Sequence, residues 1–154
     1  TEDDCAAAMT NVEWPARMQR LHSGPLVDVG PNAELWLDGG HNEAAGRAIS
    51  ELLNTLPQRP THLIVGMLNT KDVSGYLAHF LKGTTSLQAV SIPGEAATLT
   101  AAETAKAANN LGFQASKADD VLVAVKNIVQ KDSAARILIC GSLYLAGNVL
   151  RENA

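Results

Sequence analysis

Three apolar runs in this chain each give way to a glycine-bearing polar cluster and then to a helical pattern. Leu35-Trp36-Leu37 leads into Asp38-Gly39-Gly40-His41-Asn42. Residues 62–65 lead into Gly66-Met67-Leu68-Asn69-Thr70-Lys71-Asp72, and Ile137-Leu138-Ile139-Cys140 leads into Gly141-Ser142. A strand that hands over to a helix, repeated along the chain, restricts it to alternating β and α elements, because parallel strands need a crossover and a helix is its usual form. At such junctions the free N–H groups of the helix start point into the crevice beyond the strand end, where α/β proteins hold ligands.

The remaining pattern extends this reading. Apolar runs predict strands near 18–21, 26–29, 34–37, 62–65, 87–92, 113–115 and 136–140. Pro31-Asn32 makes a turn, so 26–29 and 34–37 are expected to pair as a hairpin. Asn42 caps a helix to about residue 56, with Ala45, Ile49, Leu52, Leu53 and Leu56 on one face; Pro57 and Pro60 stop it. A second helix covers 73–81 and ends at Gly83. Thr100-Ala101-Ala102-Glu103 reads as a capping box for a third, closed by Gly112. Asp119 or Asp120 starts a fourth, and a fifth follows Ser142 through Tyr144, Leu145 and Val149. The predicted fold is a Rossmann-like three-layer α/β/α domain, its sheet mostly parallel with an antiparallel edge hairpin.

Composition narrows the class. The 154 residues suit one domain with one core, and 46% hydrophobic against 18% charged residues is a globular balance. A net charge of −4 without a basic run argues against nucleic acid as partner. No apolar stretch approaches a membrane span and no signal peptide is visible. Cys140 falls in a predicted buried strand and Cys5 in a polar leader, so a reduced, cytoplasmic protein is expected rather than a disulfide. The leader, residues 1–13, lacks strand or helix patterning and starts without Met. The domain is expected over 14–154.

Each polar cluster has two readings. Asp38 suits a carboxylate that accepts ribose hydroxyls, or a residue that only caps backbone N–H groups. Gly39 and Gly40 favour close ligand approach. His41 suits a donor to phosphate or carboxylate, or a surface histidine. It has no ligand spacing to His22, His62 or His79 for a metal. Lys71 suits an anionic substrate, or a solvated loop charge. Ser142 suits a carboxylate ligand, or a plain N-cap. Arg17 suits nucleotide phosphates, or a solvated boundary residue. G-x-G-x-x-G after the first strand, G-x-x-x-x-G-K-[ST] and a nucleophile elbow are all missing from the sequence. The residues alone describe a Rossmann-like ligand-binding domain without a reactive half.

Four blocks, in order, carry a resemblance: Trp14-Pro15-Ala16-Arg17-Met18-Gln19; Leu37-Asp38-Gly39-Gly40-His41-Asn42; Gly66-Met67-Leu68 with Lys71-Asp72; and Cys140-Gly141-Ser142-Leu143-Tyr144. Together, from about Trp14 to the end, the chain resembles the C-terminal domain of the bifunctional dihydrofolate synthase/folylpolyglutamate synthase, in the Mur ligase superfamily. That family usually has Gly where Ala16 stands, Ala or similar at Gly40, and Pro at Glu43. The resemblance implies that Arg17 and Asp38 contact ATP, near phosphate and ribose respectively. It implies that His41 faces the phosphate or the incoming glutamate in a catalytic role, and that Lys71 and Ser142 hold the amino-acid carboxylate.

The implied chemistry is ATP-dependent amide formation. A dihydropteroate or folate carboxylate becomes an acyl phosphate, the amine of L-glutamate attacks it, and phosphate leaves. Mg²⁺ ligands and the P-loop belong, in that family, to an upstream domain of the same polypeptide. The leader 1–13 would be that domain's tail, and this chain alone would be inactive. Two other readings stand beside this one: a free-standing Rossmann-like nucleotide- or partner-binding module, and the equivalent domain of a peptidoglycan Mur ligase.

Overall fold

The computed structural model describes residues 16–154. The expected leader, Cys5, Trp14 and Pro15 lie outside the described residues. Six strands form one sheet in the order β1-β2-β6-β3-β4-β5. They are β1 (Gln19–Leu21), β2 (Glu34–Asp38), β3 (Thr61–Val65), β4 (Ser86–Ala89), β5 (Ala115–Lys117) and β6 (Arg136–Cys140). All neighbours pair in parallel except β1, which runs antiparallel to β2 at the edge. The helices are α1 (Pro25–Asp28), α2 (Glu43–Thr55), α3 (Val73–Leu77), α4 (Ala101–Leu111), α5 (Val121–Lys131) and α6 (Leu143–Glu152), with a 3₁₀ turn at Ala78–Gly83.

The order of connections sets the layers. From β2 to β3, β4 and β5 the chain advances in one direction, and right-handed crossovers then put α2, α3 and α4 on one face. The return from β5 to β6 reverses direction and puts α5 on the other. The two cores show this. Ile49, Tyr76, Leu77 and Ala108 pack with Leu63, Val65, Leu138 and Cys140. Leu26, Val125, Ile128, Leu145 and Val149 pack with Ile64, Ile137 and Ile139. Alternate residues of β6 thus face opposite layers, and the whole strand is buried, which is why it reads as an unbroken apolar run.

The local signals are realised at most helix ends. Asn42 accepts from the Ala45 N–H at 2.8 Å, Asp120 from Val123 at 2.8 Å, and Thr100 with Glu103 forms the reciprocal capping box. Gly112 closes α4 in the left-handed conformation.

Three local expectations are corrected. Residues 26–29 are not a strand: Pro25 sits at the first helical position, and Asn153 Oδ1 accepts from the Leu26 N–H at 2.9 Å, fixing a short helix. The antiparallel edge therefore comes from β1 against β2, with Gln19 opposite Leu37, and not from a hairpin across Pro31-Asn32. The segment 73–81 is a five-residue α-helix that tightens into the 3₁₀ turn.

Candidate functional site

The strands that carry the three polar clusters are adjacent. Asp38 pairs with Cys140, and Cys140 with Val65, so β2, β6 and β3 end level with one another. Gly39-Gly40-His41, Gly141-Ser142 and Gly66 to Asp72 leave the same carboxyl edge of the sheet. It is also the place where β6 is inserted between β2 and β3, which are consecutive in sequence. Such insertion points open a crevice beyond the strand ends.

Asp38 is 8% exposed and serves as an anchor. Its Oδ1 accepts from the Gly40 N–H at 2.7 Å and its Oδ2 from the Met18 N–H at 2.9 Å. Gly39 N–H donates to the Ala16 carbonyl at 2.7 Å, and Ala16 N–H to Gln19 Oε1 at 2.8 Å. The segment carrying Arg17 is thereby clamped to the end of β2. Ala16 and Met18 both have positive φ, 58° and 38°. These are left-handed conformations that L side chains adopt at a cost, and the clamp holds them. Arg17, exposed between them, projects from this constrained turn.

The glycines accommodate the protein's own atoms. A Cβ on Gly39 would run into Leu143 Cδ2, and one on Gly40 would lie 2.9 Å from Asp38 Oδ1. Gly141 has φ 108°, and a Cβ there would meet the Gly66 carbonyl oxygen at 2.7 Å. Close packing of β6 and β3 at the rim thus accounts for Gly141.

Ser142 is 2% exposed and caps α6: its Oγ accepts from the N–H groups of Tyr144 at 3.0 Å and Leu145 at 3.4 Å. Lys71 sits in the loop leaving β3, its N–H bonded to the Leu68 carbonyl, while Asp72 caps α3 through the Gly75 N–H at 3.0 Å. That loop is braced by the 97–99 segment: Asn69 N–H donates to Ala97 and Leu99 N–H to Met67. Among the described residues the Nδ1 atom of His41 is buried without a hydrogen-bond partner, an orphan that a ligand could satisfy.

Behind the rim, burial pushes the Cys140 thiol up to about 12, with the Asp38 charge adding to the rise. The Tyr76 hydroxyl is likewise raised, first by burial and then by Cys140 and Asp38. Cys140 is free, buried and neutral, a packing residue rather than a nucleophile.

The structure adds two residues to the rim. Leu143 and Tyr144, 61% and 54% exposed, stand on the first turn of α6, Leu143 against Gly39. The inward face of α6 runs through Leu145 and Val149, and Leu143 and Tyr144 fall off it. The sequence pattern had grouped Tyr144 with Leu145 and Val149, so nothing in it singled this residue out. Among the described residues no group of three or more His, Cys, Asp or Glu side chains converges to hold a metal ion, and no helix is long and apolar enough to cross a membrane.

The family model described as "Dihydrofolate synthetase, C-terminal domain" matches residues 26–152. The chain belongs to that family. The matched span of this dihydrofolate synthetase C-terminal domain contains Asp38, His41, Lys71 and Ser142 and begins after Arg17. A relative in Schizosaccharomyces pombe, described as a probable dihydrofolate synthetase, is 25% identical over an alignment of 152 residues that covers 92% of this chain and 34% of the relative. The Mycobacterium tuberculosis folylpolyglutamate synthase complexed with ADP and AMPPCP has a similar fold, with a TM-score of 0.80 at 22% identity. The match covers 100% of this chain and 36% of that one. E. coli FolC in complex with DHPP and ADP gives a TM-score of 0.76 at 21% identity, over 98% of this chain and 34% of that one. This dihydrofolate synthetase-type domain thus spans about a third of the length of the relatives it matches.

Proposed function

We propose that this chain is one wall of the site of an ATP-dependent ligase that joins L-glutamate to dihydropteroate or folate. The observation that carries the reading is the clamp between Asp38 and Met18, which brings Arg17 to the strand-end rim shared with His41, Lys71 and Ser142. A carboxylate is a poor electrophile and must be activated as an acyl phosphate before an amine can displace phosphate. What the protein supplies is position and charge.

The rim fits an anionic nucleotide. Arg17 offers an exposed guanidinium to phosphate. Each Asp38 oxygen, already accepting one backbone N–H, keeps a second lone pair for a ribose hydroxyl. The unpartnered Nδ1 of His41 suits the transferred phosphate or the incoming amine. Lys71 and the remaining proton of the Ser142 hydroxyl suit the glutamate carboxylate. Mg²⁺ supplies charge neutralisation in such chemistry, and its ligands belong to an upstream P-loop domain that closes on this rim. Residues 14–154 act as the glutamate-ligase domain and 1–13 as the connection, in the cytoplasm where ATP and folate are available.

The test is ligation by the complete polypeptide. With dihydropteroate, L-glutamate and ATP it should yield dihydrofolate, ADP and phosphate, and this chain by itself should not. Activity on muramyl precursors without activity on pteroates would overturn the assignment.

A further inference from the structure

The end of the sheet opposite the nucleotide rim carries an open cleft of about 760 Å³ between the end of α2, the start of β3 and the 3₁₀ turn. Among the described residues its walls hold Arg59, Arg136, Lys82 and His79 and no acidic side chain. In a chain of net charge −4 this is a local reversal of sign. We propose that the cleft is a second anion site, built for a phosphate-type oxyanion and separate from the ligase chemistry.

Two guanidiniums form its floor, held in place by one carboxylate. Glu34 Oε1 accepts from Arg136 Nε at 2.8 Å, and Oε2 accepts from Arg59 Nη1 at 2.8 Å. Arg136 also donates from Nη2 to the Pro57 carbonyl, and Arg59 donates to the carbonyls of Ala134 and Asn32. Arg136 is 3% exposed. Among the described residues its Nη1 protons have no acceptor once Glu34 and Pro57 are served. That nitrogen is not a buried orphan but reaches the solvent of the cleft, where an anion can take the place of water.

The wall adds charge without pairing it internally. Lys82 is exposed on the 3₁₀ turn and makes no salt bridge among the described residues. Among the described residues His79 has only the exposed Glu43 carboxylate, at 3.5 Å. Three permanent cations, Arg59, Arg136 and Lys82, thus stand against two carboxylates, Glu34 and Glu43, and the surplus is positive. Guanidinium forks with a mobile ammonium beside them suit the several oxygens of a phosphate group. The cleft begins at Arg136 and the rim at Cys140, the two ends of β6, about 13 Å apart at ~3.3 Å per residue. One phosphate cannot occupy both.

The test is a titration of the whole chain with inorganic phosphate at constant ionic strength, read by amide chemical shifts. The expected result is saturable shifts at Thr61, Lys82, Thr84 and Thr85, with Lys82→Gln weakening binding about tenfold, the scale of one lost charge-assisted contact. Lys82 is exposed, so the variant keeps its fold, whereas Arg136→Lys would disturb the buried pair. The proposal is overturned by no saturation up to about 50 mM phosphate, a range already far weaker than a millimolar site. Equal shifts with chloride, unchanged affinity in Lys82→Gln, or shifts confined to residues 38–42 and 141–142 would overturn it too.

Discussion

The Asp38 carboxylate accepts a hydrogen bond from the Met18 N–H at 2.9 Å, across twenty residues of chain. Its other oxygen holds Gly40 at 2.7 Å. One nearly buried side chain thus fixes both the glycine turn after β2 and the turn that presents Arg17. Asp38→Asn replaces an acceptor with an amide that faces a donor. It should destabilise the domain by about 2 kcal/mol, the scale of a hydrogen bond to a charged group. Chemical denaturation measures this, and amide exchange at Met18 and Gly40 should accelerate with it.

Ala16 stands at φ 58°. Its methyl group makes that conformation costly, while glycine adopts it freely. Ala16→Gly should stabilise the chain by about 0.5–1 kcal/mol, even after the greater entropy glycine carries in the unfolded state. A rise in the denaturation midpoint at unchanged slope checks it.

Gly39 and Gly141 both sit at the rim and should respond differently to a methyl group. At Gly39 the added carbon meets the end of an exposed leucine side chain, which can turn away. At Gly141 it meets the Gly66 carbonyl oxygen at 2.7 Å, on a backbone with φ 108°. Gly141→Ala should cost about 3 kcal/mol, and Gly39→Ala less than about 1 kcal/mol. Paired thermal unfolding of the two variants makes the comparison.

The glycine pattern was legible as strand ends, but its cause was not, since the contacts across β6 and β3 are long-range. The parallel sheet, the caps at Asn42, Thr100 and Asp120, and the apolar strands followed from local rules of periodicity and side-chain hydrogen bonding. The strand expected at 26–29 failed for a tertiary reason: Asn153, near the far end of the chain, accepts from the Leu26 N–H and donates to the Ser23 carbonyl. The Arg136–Glu34 pair was equally hidden, its partners 102 residues apart. The strand-end placement of Asp38, Gly40 and Ser142 was recognisable in the sequence. The left-handed turn around Arg17 was not, because alanine and methionine carry no signal for positive φ.

Glu34 gives the fold a defined acid response. Burial pushes its carboxyl up, yet the bonds from Arg136, Trp36 and Arg59 outweigh this and hold it at about 2, below the ordinary 4.5. Its stabilising contribution is therefore complete above about pH 4.5 and is lost as the pH falls through about 2. Unfolding measured at steps between these values should show a loss of stability in the wild type. In Glu34→Gln, less stable throughout because Arg136 loses its carboxylate, that step should be absent.

The most direct measurement is steady-state glutamate ligation by the complete polypeptide with Arg17→Ala and Lys71→Ala, two side chains outside the core. The rim described here predicts that Arg17→Ala raises KM for ATP, and Lys71→Ala raises KM for glutamate, each about tenfold or more, with both variants folded. Wild-type kcat/KM for both substrates in both variants would contradict it.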